Sequence, residues 1–144
     1  MFAYLIALAA SVALGGQILN ESAWTWTLYE DAPIVLANEV PDTANLRSTL
    51  ECAPGSSVAL LTLYGSDTPA GVARITAGTV SALAEVEPAR AGTTKMAVRT
   101  DHPVFAAFAV DGKLTITVGE QRRAIEVPAA HLAKLRRFAE LCSG

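Results

Sequence analysis

The sequence predicts a mainly β fold, an antiparallel β-sandwich or open barrel that ends in an amphipathic helix. Three observations predict it. Short segments with a two-residue hydrophobic period recur along the chain, turn residues separate them, and the tail switches to a helical period. Length and composition agree. A chain of 144 residues suits one domain, and 51% hydrophobic against 17% charged residues excludes a disordered chain.

Residues 1–16 carry no charged side chain. The run is shorter than the roughly 20 residues a spanning helix needs. Followed by small residues around Ala13 and Gly15, it reads as a signal peptide, with a single β-rich domain over 17–144; an ordinary buried N-terminal helix is the other reading. No Lys or Arg precedes the apolar run, which departs from the usual leader pattern. Once the leader is cleaved, no stable transmembrane segment is expected.

Trp24, Trp26 and Leu28 alternate with Thr25, Thr27 and Tyr29, a strand period in β-favouring residues. Residues 33–39 form a second strand candidate, closed by a turn at Val40-Pro41-Asp42-Thr43. Residues 46–52 alternate again, with Leu46, Ser48, Leu50 and Cys52 on one face, before Ala53-Pro54-Gly55-Ser56 breaks the run. Residues 57–64 are nearly all apolar, as in a central strand covered on both sides. Two weaker strands, 71–77 and 79–87, flank Ala77-Gly78, and a further strand follows at 94–99.

Asp101-His102-Pro103 reads as a helix start with Asp101 as N-cap and Pro103 in the first turn. The apolar residues 104–110 fit a short helix or a buried strand equally well. Lys113 to Val118 is the cleanest strand, and Gly119-Glu120-Gln121 returns it into 123–127 as a hairpin. Seven to nine strands result. From Pro128 onward, Leu132, Leu135, Phe138, Ala139 and Cys142 form one helical stripe, opposite Lys134, Arg136, Arg137 and Glu140.

The chain has two cysteines, Cys52 and Cys142, and both fall on core-facing positions of separate elements. The expectation is a disulfide that pins the last helix to the sheet in an oxidising compartment. Two unpaired core cysteines are the other reading.

No catalytic constellation emerges. A net charge of −3 is too mild for a polyanion partner, and no basic stripe with interleaved aromatics suggests nucleic acid. Gly55-Ser56-Ser57 does not form a nucleophile elbow, and the scattered aspartates Asp42, Asp67, Asp101 and Asp111 form no calcium loop. His131 reads as a partly buried, hydrogen-bonded histidine, and Asp101 as a cap in preference to a dyad with His102. Glu85 and Glu87 share a strand face and read as solvated edge residues. Trp24 and Trp26 read as core packing before a ligand platform. Asn20-Glu21-Ser22 has the form of a glycosylation acceptor. No catalytic residue, metal ligand or cofactor-binding residue is assigned.

The segments 38–43 and 50–56, Pro103-Val104-Phe105-Ala106-Ala107-Phe108 and the ending Phe138-Ala139-Glu140-Leu141-Cys142 together resemble small, uncharacterised exported proteins of alphaproteobacterial type. The resemblance spans about residues 24–142. It implies export, a signal peptide and paired cysteines, and it brings no activity. The expectation is therefore an exported (periplasmic or secreted), non-catalytic binding domain for an unknown envelope protein or small ligand. An inhibitor of an extracellular hydrolase, such as a lysozyme or protease, is the alternative, presenting loops 53–57 and 66–71. A hydrolase using His102 with Asp101 is a third reading.

Overall fold

The computed structural model describes residues 21–66, 68, 70–88 and 90–143. The expected leader and Asn20 lie outside the described residues, as does Asp67. Nine strands form one antiparallel sheet: β1 (Thr25–Tyr29), β2 (Ile34–Glu39), β3 (Leu46–Cys52), β4 (Val58–Tyr64), β5 (Gly71–Ala77), β6 (Val80–Val86), β7 (Thr93–Arg99), β8 (Lys113–Val118) and β9 (Gln121–Glu126). Helix α1 (Pro103–Asp111) lies between β7 and β8, and α2 (Leu132–Ser143) follows β9. The sheet order is β1-β2-β3-β4-β7-β6-β5-β8-β9, and the sheet curls into a half-barrel. Its two edges, β1 and β9, do not pair.

Register explains which side chains face inward. Leu36 lies opposite Leu50, Leu50 opposite Leu61, and Leu61 opposite Met96. Across the other half, Ile75 lies opposite Ile116, which lies opposite Arg123. Alternation then places every second residue of each strand on the concave face. The apolar ones form the core, with Leu36, Leu61, Ile75 and Met96 fully buried. β4 holds the centre of one half, but only its concave face is fully covered; Leu60 on the outer face is half-exposed.

The half-barrel has two gaps, and a helix closes the lower part of each. β6 and β7 meet at Val86–Met96, beside which the Glu87 amide donates to the Lys95 carbonyl at 2.9 Å, and they splay apart toward the base. There α1 packs on β5, β6 and β8, with Val104, Phe105 and Phe108 buried. The second gap lies between β1 and β9. The chain leaves β9, passes a 3-10 turn at Ala129–His131, and packs α2 against β1 and β2. Phe105 joins the two plugs, 5.8 Å from Phe108 and 6.3 Å from Phe138 between ring centroids.

The apolar run 104–110 is thus a helix, and its cap differs from expectation. His102, not Asp101, is the N-cap: its Nδ1 accepts a hydrogen bond from the Val104 amide at 3.0 Å. Asp101 is turned away by Arg99, whose Nε and Nη2 donate to its carboxylate at 2.8 and 2.7 Å. A charge-assisted bidentate pair outcompetes a single capping bond. Gly112 ends α1 with φ +78°, the left-handed conformation a C-cap requires. A Cβ there would run into the Val127 carbonyl oxygen and approach Leu132 Cδ2 at 2.8 Å.

Cys52 and Cys142 are bonded to each other, with a Cα–Cα distance of 5.9 Å and no free cysteine among the described residues. Both are buried. The Gly55 and Ser57 amides donate to the Leu141 and Cys142 carbonyls at 3.1 and 2.8 Å, so the last turn of α2 is tied to the β3–β4 loop on three counts.

Candidate functional site

With the base plugged, the concave face opens at the other end, formed by the N-terminal ends of β1, β3, β7 and β9 and the C-terminal ends of β2, β4 and β8. The inward register changes character there. Ser48, Thr94, Gln121 and Arg123 replace the aliphatics of the middle layer. Buried Thr94 donates to Ser66 Oγ at 3.2 Å, Ser66 and Thr68 share a bond of 2.6 Å, and Thr68 Oγ1 donates to Gln121 Oε1 at 3.0 Å. Every buried polar side-chain atom among the described residues is satisfied.

Arg123 divides this mouth. Its Nη1 donates to the Tyr64 carbonyl at 2.7 Å and its Nη2 to the Arg47 carbonyl at 2.8 Å, so one side chain reaches from β9 to both β4 and β3. It is half-buried, and among the described residues no carboxylate pairs with it. Burial, and then the nearby charge of Arg47, pull its pKa below the ordinary arginine value. Arginine remains charged even so. The result is a half-buried cation in a wall of mixed polar and apolar residues, with donors left over for a ligand.

A cavity lies on each side of it. The inner one, about 310 Å³, is bounded by Leu63, Thr94, Met96, Ile116 and Gln121. The outer one, about 450 Å³, occupies the open seam between β1 and β9 and is bounded by Trp24, Trp26, Asn38, Ser48, Ile125 and His131. Both are within the size range of ligand pockets. The Arg47 guanidinium lies 4.1 Å over the Trp24 ring and is held by Glu21 through two bonds of 2.6 and 3.1 Å. Glu21 neutralises Arg47, whereas Arg123 has no carboxylate partner among the described residues.

At the floor of the seam, Lys134 Nζ donates to the Trp26 carbonyl at 2.6 Å and lies 3.2 Å from His131 Nδ1. Burial and the Lys134 charge both depress the His131 pKa, so the imidazole is neutral at pH 7.

The residues singled out in the sequence divide accordingly. Trp26 is buried and Trp24 half-buried, and both wall the seam, so they act as packing and as surface at once. His131 sits beside Lys134 at the floor of the seam, in the 3-10 turn before α2. The Asp101 carboxylate and His102 ring are committed to Arg99 and Val104, so they form no dyad. Glu85 and Glu87 are exposed on the outer surface. Loop 53–57 and the described residues of loop 66–71 lie at opposite ends of the half-barrel and cannot enter one cleft together.

Arg123 was not among the sequence candidates. The available signal was parity: Arg123, Ile125 and Val127 alternate on the face that becomes the core, so one arginine stands in an apolar register. Among the described residues there is no cluster of three metal-ligating side chains and no helix long and apolar enough to cross a membrane. Comparison with family models, with curated proteins and with solved structures gave no match.

Proposed function

We propose that the protein is an exported, non-catalytic binding domain that works in the periplasm or outside the cell and binds its partner at the mouth of the half-barrel. The observation that carries the reading is Arg123, a half-buried cation without a carboxylate partner among the described residues, flanked by two cavities. The Cys52–Cys142 bond supports the location, because structural disulfides form and persist in oxidising compartments. The uncharged apolar run at residues 1–16 supports it independently.

The test is affinity capture from a cell-envelope extract with the wild-type chain and with Arg123→Gln, at low salt because an exposed charge contact is screened. The expected result is a retained component that the variant loses. Recovery of nothing, or of the same components by both chains, overturns the proposal.

The inhibitor reading keeps one supporting observation. Loop 53–57 is rigidly anchored by the disulfide and by two backbone bonds to α2, and a preorganised loop loses little entropy on binding. A panel of lysozymes and proteases that retain full rate in its presence removes that reading.

A further inference from the structure

The seam is more than a cavity, because one of its walls is an unpaired strand edge. Among the described residues β9 pairs with β8 alone. In an antiparallel pair, successive residues direct their backbone groups alternately toward the partner strand and away from it. The Val127 amide donates to the Gly112 carbonyl at 2.7 Å, and this fixes the phase. Ile125 and Arg123 turn their backbone groups toward β8; Arg122, Ala124 and Glu126 turn theirs into the seam. Among the described residues none of those seam-facing groups has a hydrogen-bond partner, and all three residues are exposed. Across the gap the edge of β1 is different. The Trp26 carbonyl is already taken by Lys134 Nζ. The seam therefore has one open edge and one guarded edge.

We infer that the seam binds an extended peptide, which adds as a tenth strand along β9 and places an acidic side chain against Arg123. This rests on the reading of the mouth as a binding site and names its occupant. Backbone bonds to Arg122, Ala124 and Glu126 supply sequence-independent affinity, and the side chains that point into the seam supply selection. The concave register of β9 is Arg123 followed two residues later by Ile125, with Trp26 facing them across the seam. Side chains opposite each other across a pair interact most strongly. The matching peptide carries Asp or Glu opposite Arg123 and, two positions along, an aliphatic or aromatic side chain opposite Ile125.

Charge complementarity sets this choice of partner. Arg47 is neutralised by Glu21; of the two β9 charges that bound the seam, Arg123 stands in the concave register with Ile125, whereas Glu126 is exposed and alternates to the other face, so among the described residues the concave register of β9 presents a positive charge. An inward charge also blunts an edge against indiscriminate pairing. Here it admits an acid and rejects a strand that would bury an apolar or basic residue beside the guanidinium.

The test uses the full chain and a library of random, C-terminally amidated decapeptides, so that any carboxylate comes from a side chain. The expected result is enrichment of peptides with the acid–x–apolar pattern. In the best of them, N-methylation of the amides that face β9 weakens binding at least tenfold, and methylation of the alternate amides leaves it within twofold. Arg123→Lys keeps the charge and binds within about tenfold. Arg123→Gln binds at least tenfold more weakly while its unfolding curve shows a folded chain. Trp24 and Trp26, the two tryptophans of the chain, report binding through their emission. Peptides that need Arg123 but tolerate methylation on both edges overturn strand addition and leave the mouth as a site. Peptides indifferent to Arg123, or no retained peptide at all, overturn both. A chain that is dimeric through β9 and excludes every peptide assigns the edge to a second copy and also overturns the inference.

Discussion

Replacing both cysteines by alanine isolates what the disulfide contributes. The bond closes a loop over a sequence separation of 90 residues. Loop-closure entropy for that length gives about 4–5 kcal/mol at 25 °C, lost when the bond is absent. Both sulfurs are buried, so the small cavities left by alanine act in the same direction. The backbone bonds from Gly55 and Ser57 to α2 survive the substitution, so the native topology is retained. Urea unfolding followed by far-UV circular dichroism measures the difference. With an m-value of about 2 kcal/mol/M, the Cys52→Ala/Cys142→Ala midpoint falls by about 2 M. Reducing the wild-type chain produces a loss of the same order. A midpoint shift below roughly 0.5 M at unchanged m refutes the assignment of the bond as a main restraint on the unfolded chain.

Other positions give separate tests. Gly112→Ala combines a left-handed residue with a Cβ against the Val127 carbonyl, so we expect a loss of about 2–4 kcal/mol, read as a drop in Tm. Arg136 donates to the last carbonyls of α1, from Nε to Ala109 at 3.1 Å and from Nη2 to Val110 at 3.3 Å, and Arg136→Ala should cost about 0.5–1 kcal/mol in the same assay. His131 has a folded pKa below its ordinary 6.5, so the unfolded chain binds the extra proton first. Its contribution is complete above pH 6.5 and declines as pH falls through 6.5 toward the folded value; His131→Gln should flatten that part of the stability profile.

Much of this fold is legible in the sequence because the signals are local. The β8–β9 hairpin follows from alternation on both sides of Gly119-Glu120, and the Cys52–Cys142 pair follows from one strand parity and one helical stripe. The 104–110 run is ambiguous because it is apolar on every side. Tertiary context decides it: the splayed base between β6 and β7 needs a plug, and Gly112 supplies the stop. The Asp101 cap fails because Arg99, two residues back, competes for the carboxylate. The strand order is not local at all. β4 joins β7 in place of β5, and β5 joins β8, pairings that no local signal specifies. Arg123 becomes a site residue through this topology, since its partners on β3 and β4 lie 76 and 59 residues away.

The most direct test of peptide binding in the seam is an amide-resolved NMR titration of the full chain with an acetylated, amidated peptide that carries glutamate and valine two positions apart, taken to millimolar concentration. Strand addition along β9 shifts the amides of Arg122, Ala124 and Glu126, the indole groups of Trp24 and Trp26, and the Arg123 guanidinium. Shifts confined to loop 53–57 or to the outer face of β5 and β6, or no shifts at all, would contradict it.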